Sequence, residues 1–255
     1  MRSGKRGFGA EVRLKEGAWF IADAHYAHYN PALYRFLSSI EASDLPPQMI
    51  LMGDIFDLLF ADAPNSIEPN LKMVDLLKRI SESCEVIYLE GNHDFGLEKL
   101  FGETMRVVKR ADQPLMASFG PQRVALHHGD LLQGVMYEIY TALIRNPSID
   151  RLLNRIDTLK AGAIIGWLEN YNRKKEPCYR IEGFETRMRQ RLDLLMKRYD
   201  FDIWVEGHYH QDMGFEHRGR RYRNLPAFAC DQSWVVVKSS PNGIDFEEKK
   251  VRNVV

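Results

Sequence analysis

Cysteine is scarce in this chain. Its 255 residues include three, Cys84, Cys178 and Cys230, far apart and without a CxxC pair. That spacing argues against a structural zinc site or a disulfide framework, and the expectation is reduced thiols in a cytoplasmic protein. Long apolar runs are missing too. The longest, Ala161-Gly162-Ala163-Ile164-Ile165-Gly166-Trp167-Leu168, falls far short of the roughly 20 residues that span a bilayer. The basic start, Met1-Arg2-Ser3-Gly4-Lys5-Arg6, is like a signal n-region, but no adequate apolar stretch follows it. Charge of one sign is not in excess either, since 35 basic and 35 acidic residues cancel. A global electrostatic case for nucleic-acid binding is therefore lacking. The local run Arg218-Gly219-Arg220-Arg221-Tyr222-Arg223 reads as a hairpin surface rather than a nuclease groove.

What is present is an ordinary soluble composition, with 45% hydrophobic and 27% charged residues, enough to bury one sizeable α/β core. Ala18–Ala22, Met49–Met52 and Val86–Leu89 read as buried strands. Between them, Leu33, Phe36, Leu37 and Ile40 share one helical face, and Leu71, Val74 and Leu77 another. Strand, helix, strand, helix, strand predicts a largely parallel sheet with its ligand site beyond the carboxyl ends of the strands. After Leu97 the pattern is richer in strands, with Val124–Leu126 and Ile203–Val205 and hairpins near Arg218–Arg220 and Pro241–Gly243. Val135, Ile139 and Leu143, then Leu152, Ile156 and Leu159, mark helical faces. The expected organisation is one domain over 17–255 carrying a helical insertion, or lid, over 131–200.

Five polar motifs recur in order, each where an apolar run stops: Asp23-Ala24-His25, Gly53-Asp54, Gly91-Asn92-His93-Asp94, His128-Gly129-Asp130 and Gly207-His208-Tyr209-His210. Any one of them reads equally well as a solvated turn. Together they hold five of the eight histidines and offer oxygen and nitrogen ligands without a thiolate, the set that borderline divalent metals prefer. Asp23, His25, Asp54, Asn92, His128, His208 and His210 are too many ligands for one ion and about right for two that share Asp54.

This ordered series, from Asp23 to His210, resembles the calcineurin-like metallophosphoesterase superfamily. The resemblance implies a β-sandwich flanked by helices. It implies that Asp23, His25, Asp54 and His210 hold one metal and Asp54, Asn92, His128 and His208 the other, with Mn²⁺ the expected ion and Fe or Zn also compatible with the donors. It further implies that His93 stabilises or protonates the leaving oxygen while Asp94 orients it. The His-Gly-Asp register favours His128 over His127 as the ligand, and His28 and His217 are left as surface or core residues.

Within that superfamily the layout resembles the bacterial UDP-2,3-diacylglucosamine pyrophosphatases of lipid A synthesis. The Phe20–His25 opening, the length of the helical insertion and a size near 250 residues carry the likeness. The resemblance implies an insertion that receives acyl chains and a nucleotide-sugar lipid as substrate, cleaved by water to UMP and diacylglucosamine 1-phosphate. It also implies a cytoplasmic enzyme peripheral to the inner membrane, and no obligate protein partner is evident. Ile164, Ile165, Trp167 and Leu168 would line the acyl tunnel, with Asn172, Lys174 and Lys175 beside it for phosphate or headgroup. One departure is that the best-known branch of these enzymes carries arginine where this chain has His93. The alternatives are a phosphomonoesterase or phosphodiesterase acting on a soluble substrate, and a non-catalytic scaffold, which would be expected to lose ligands.

Overall fold

Trp19–Ile21, Gln48–Leu51 and Glu85–Leu89 are apolar at nearly every position, as strands covered on both faces must be. In the computed structural model, which describes residues 12–251, they are β2, β3 and β5 of a six-stranded sheet. β7 (Arg106–Val108) continues the parallel set, and β13 (Ser233–Ser240) and β14 (Gly243–Lys250) extend it antiparallel on the other side. The second sheet has the order β1 (Val12–Arg13), β8 (Leu115–Phe119), β9 (Gln122–His127), β10 (Ile203–Glu206), β12 (Arg220–Asn224) and β11 (Met213–His217). β4 (Leu59–Phe60) and β6 (Asp94–Phe95) form a small parallel pair. The basic start and residues 252–255 lie outside the described residues.

Alternation assigns each side chain its layer. Phe20, Ile50 and Ile87 of the first sheet meet Val124, Leu126, Ile203 and Val205 of the second in one buried cluster. Their neighbours Ile21, Leu51 and Tyr88 face the other way. They pack against Leu33 and Leu37 of α1 (Ala32–Ser38) and Met73, Val74 and Leu77 of α3 (Leu71–Ser83). A short α2 (Pro64–Ile67) precedes α3, and α4 (Glu98–Phe101) follows β6. The sheets are more mixed than expected. β8/β9, β11/β12 and β13/β14 are hairpins, whose tight turns permit only antiparallel pairing.

Between β9 and β10 run α5 (Val135–Ile144), α6 (Pro147–Leu159), α7 (Ala163–Asn172) and α8 (Phe184–Leu195). α8 belongs to the body, packing Phe184, Met188, Leu192 and Leu195 against Ala125 and Trp204 of the second sheet. On α5 and α6 the expected apolar faces are largely open: Val135 is 76% exposed, Ile139 48%, Leu143 49% and Leu159 79%. A short α9 (Phe228–Asp231) leads into β13.

The cysteine expectation is overturned. Cys178 and Cys230 form a disulfide with their Cα atoms 5.7 Å apart, while Cys84 is free and buried. The two are 52 residues apart in sequence, and folding lays the loop after α7 beside α9. Among the described residues, no helix is long and apolar enough to cross a membrane.

Candidate active site

All five motifs sit at strand ends. The parallel strands β2, β3 and β5 deliver Asp23, Asp54 and Asn92 to one edge of the first sheet, and β9 and β10 deliver His128 and His208 from the second. The His208 amide donates to Asp23 Oδ2 at 2.8 Å, which joins the two halves. Side chains converge because the chain turns sharply at the ligands. Asp23, His25, Asp54, His208 and His210 all have positive φ, between 44° and 67°. Each such residue costs of order 1–3 kcal/mol, a strain that accumulates where function requires it. Gly91 permits a further close approach, since a Cβ there would fall 2.2 Å from Asp54 Oδ1.

Among the described residues three clusters result: Asp23, His25 and His210 in one, Asp54, His128 and His208 in the second, and His25, Asp57 and His93 in a third at the rim. Asn92 joins the second, its Oδ1 lying 3.1 Å from His128 Nε2. Asp54 Oδ2 is 3.4 Å from that same nitrogen, and Asp23 Oδ1 is 3.4 Å from His210 Nε2. Backbone carbonyls select the tautomers, because a carbonyl can only accept. His128 Nδ1 donates to Met52 O at 2.9 Å and His210 Nδ1 to Pro177 O at 2.6 Å, so both leave Nε2 free as a ligand atom. The His25 Nδ1 lies 3.5 Å from Asp57 Oδ1, again pointing Nε2 inward.

These donors suit divalent metal. Asp23 Oδ1 and His25 Nε2 are buried without a hydrogen-bond partner, which is costly unless a cation meets them. The carboxylates make this pocket favour positive charge: burial opposes charge on His128, yet Asp54 outweighs it and lifts the imidazole to about 10, so a bound cation would take the place of the Nε2 proton. Burial and the neighbouring His128 push His208 down to about 4, a neutral ligand at physiological pH.

His93 stands at the rim of the cleft, its ring 4.9 Å from that of His25. Its Nδ1 donates to the Asp57 carbonyl at 2.8 Å. The expectation that Asp94 orients His93 is not met. Asp94 is fully buried and accepts from the amides of Asp54, Gly91, Ile55 and Phe56 and from Tyr88 OH at 2.6–3.2 Å, bracing the loop that carries Asp54. Its carboxylate is spent on that backbone, and Asp57 takes the orienting role. Asp57 follows Asp54 by three residues and is the second acid of Gly53-Asp54-Ile55-Phe56-Asp57, a signal open to sequence reading.

Two cavities meet at His93. One, of about 790 Å³, is the cleft over the candidate metal ligands, lined by His25, Asp54, His208, His210 and Tyr179 among others. The other, of about 390 Å³, is mainly apolar and lies under α5–α7, between Leu58, Phe60, Phe95, Tyr140, Ile164, Ile165 and Leu168. Asn92, His93, Asn172 and Lys175 line both. Trp167, expected in the apolar wall, is instead 64% exposed and stacks on Tyr171, because it points away from the face bearing Ile164, Ile165 and Leu168. Lys174 is exposed and lines neither cavity. His127 is buried and accepts from the Gly129 amide, His217 pairs with Asp193, and His28 is exposed.

The calcineurin-like phosphoesterase family model matches residues 18–212. Among curated proteins, the chain is 20% identical over 196 residues to a UDP-2,3-diacylglucosamine hydrolase of Aliivibrio fischeri, covering 75% of this chain and 80% of that one. It is 28% identical over 163 residues to a UDP-2,3-diacylglucosamine hydrolase of Shewanella oneidensis, covering 61% and 59%. Among solved structures, YfcE, a phosphoesterase from E. coli, aligns at TM-score 0.44 and 14% identity over 92% of this chain and 99% of that one. With the family model spanning all five motifs, this chain belongs to the calcineurin-like phosphoesterases, the metal-dependent phosphoester hydrolases.

Proposed function

We propose that this hydrolase cleaves the pyrophosphate of UDP-2,3-diacylglucosamine, giving UMP and 2,3-diacylglucosamine 1-phosphate. One observation carries the reading: an apolar cavity of about 390 Å³ adjoins the cleft over the candidate metal ligands, sharing Asn92, His93, Asn172 and Lys175 with it. A substrate with acyl chains at one end and a nucleotide diphosphate at the other suits that pair of spaces. A soluble phosphoester leaves the apolar one without use. The names of the curated relatives support the same substrate.

The ligand set fits two divalent ions, Mn²⁺ in our reading: Asp23, His25, Asp54 and His210 would hold one, and Asp54, Asn92, His128 and His208 the other. When bound, such a pair supplies charge neutralisation to both the attacking and the leaving oxygen. The protein's own groups do the rest. Lys175 and Asn172 face the phosphates from α7 and its exit, and Ile164, Ile165 and Leu168 hold the acyl chains. His93 presents Nε2 to the leaving oxygen with its Nδ1 proton held by Asp57 O. Val135, Met136, Ile139 and Leu143 expose apolar surface on α5, suited to an inner-membrane surface where a lipid substrate resides.

The test is UMP release from UDP-2,3-diacylglucosamine by the purified Mn²⁺-loaded protein, beside hydrolysis of bis-p-nitrophenyl phosphate. Rapid UMP release is expected. Turnover of the generic ester alone would keep the phosphoesterase and discard the lipid substrate.

A further inference from the structure

The disulfide occupies a consequential place. Cys178 directly follows Pro177, whose carbonyl accepts the Nδ1 proton of His210 at 2.6 Å. Cys230 directly follows Ala229, whose amide donates to the Asp23 carbonyl at 3.1 Å. Asp23 and His210 are themselves neighbours in one ligand cluster, with Oδ1 and Nε2 3.4 Å apart. The contacts thus close a ring: Asp23, Ala229, Cys230, Cys178, Pro177, His210 and back to Asp23. Pro177 and Ala229 both line the cleft.

Apart from the sulfur bridge, the hydrogen bonds of the segment around Cys178 go to His210, through Pro177 O at 2.6 Å, and to Gln211, from the Ile181 amide at 2.8 Å, from Arg180 and onto the Tyr179 carbonyl at 3.1 Å, while Ile181 packs beside α8. Among the described residues, no hydrogen bond ties it to α9. Both cysteines are exposed, so a small thiol can reach the bond, whereas Cys84 is buried.

We propose that Cys178 and Cys230 are a reversible thiol–disulfide site that sets how tightly the Asp23–His210 cluster holds its metal ion, an inference that rests on the metal-binding reading of that cluster. On closing, the two thiols give up two protons and two electrons to a small-molecule disulfide, which departs as two thiols. A dithiol reductant reverses the exchange and is itself oxidised to a disulfide. With the bond closed, the Pro177 carbonyl is fixed and His210 is held with Nε2 toward Asp23. With it open, that carbonyl is free to drift and the ligand loses its orientation. Loss of such a partner typically weakens metal binding by about 10–100-fold.

The test uses the full chain, oxidised with glutathione disulfide or reduced and then desalted, with thiols counted by alkylation and intact mass. Metal-free samples of both are titrated with Mn²⁺ by calorimetry. The oxidised form should show one thiol, the reduced form three, and the reduced form should bind one of its ions about tenfold more weakly or worse. Cys178→Ser and Cys230→Ser should each bind like the reduced form and ignore the oxidant. Equal Mn²⁺ affinity in both forms overturns the proposal while leaving the metal site intact. So does a retained glutathione adduct in place of the closed bond, or serine variants that bind like the oxidised protein. Absence of Mn²⁺ binding in both forms overturns the metal reading and the proposal with it.

Discussion

The Nδ1 atom of His93 lies 2.8 Å from the carbonyl oxygen of Asp57, while the Asp57 carboxylate stands 3.5 Å from His25 Nδ1. One residue thus orients both a candidate metal ligand and the candidate acid. His93→Ala should keep its metal and lose about 10²–10⁴-fold in turnover, the usual range for general acid–base help. Burial holds the His93 pKa below its ordinary 6.5, and an acid must be protonated to act. The wild-type kcat/KM should therefore fall as pH rises through that lowered value, and the variant should lack this limb. Metal content and a pH profile check both parts, and loss of metal would make His93 a ligand instead.

Asp54 lies within 3.4 Å of His128 and its Oδ1 accepts the His93 amide at 2.8 Å. Asp54→Ala should abolish turnover and lower bound metal, measured by elemental analysis of the dialysed protein. A variant with normal rate would end the shared-ligand scheme.

Ile165 is buried in the apolar cavity and distant in role from the metal ligands. Ile165→Glu should cut kcat/KM for the diacylated substrate at least tenfold, since burying an unpaired carboxylate beside acyl chains is costly. Hydrolysis of bis-p-nitrophenyl phosphate should change little. An equal loss on both substrates would remove the acyl role of this cavity.

Glu206 is fully buried, accepting from Arg191 at 2.6 Å, Trp204 Nε1 at 2.7 Å and Tyr222 OH at 2.6 Å. Arg191 also donates to the carbonyls of Gly129 and Leu131, so α8 is clamped to the loop that carries His128. Glu206→Ala strands the guanidinium and should cost about 3–5 kcal/mol in urea denaturation. The double variant Arg191→Met/Glu206→Leu should recover much of that loss.

Much of the site could be read along the chain because each motif follows a strand, and a parallel strand has only one end at which to leave a ligand. Phe20-Ile21-Ala22 before Asp23, and Met49–Met52 before Asp54, announce both the strand and its exit. Asp94 misled because adjacency to His93 says nothing of direction: alternation turns its carboxylate into the core, where four amides and Tyr88 take it. Trp167 misled for the same reason on a helix, where one residue's step of rotation separates cavity from solvent.

By itself the sequence determined the chemistry, since ligand type, order and spacing are local properties: oxygen and nitrogen donors, no thiolate, one motif per strand end. Tertiary structure alone decided what lies at long separation. It brought Cys178 to Cys230, His210 to Pro177 and His208 to Asp23, and it opened the apolar cavity against the metal cleft. Such pairs depend on how sheets and helices pack, which the energy of no single segment encodes.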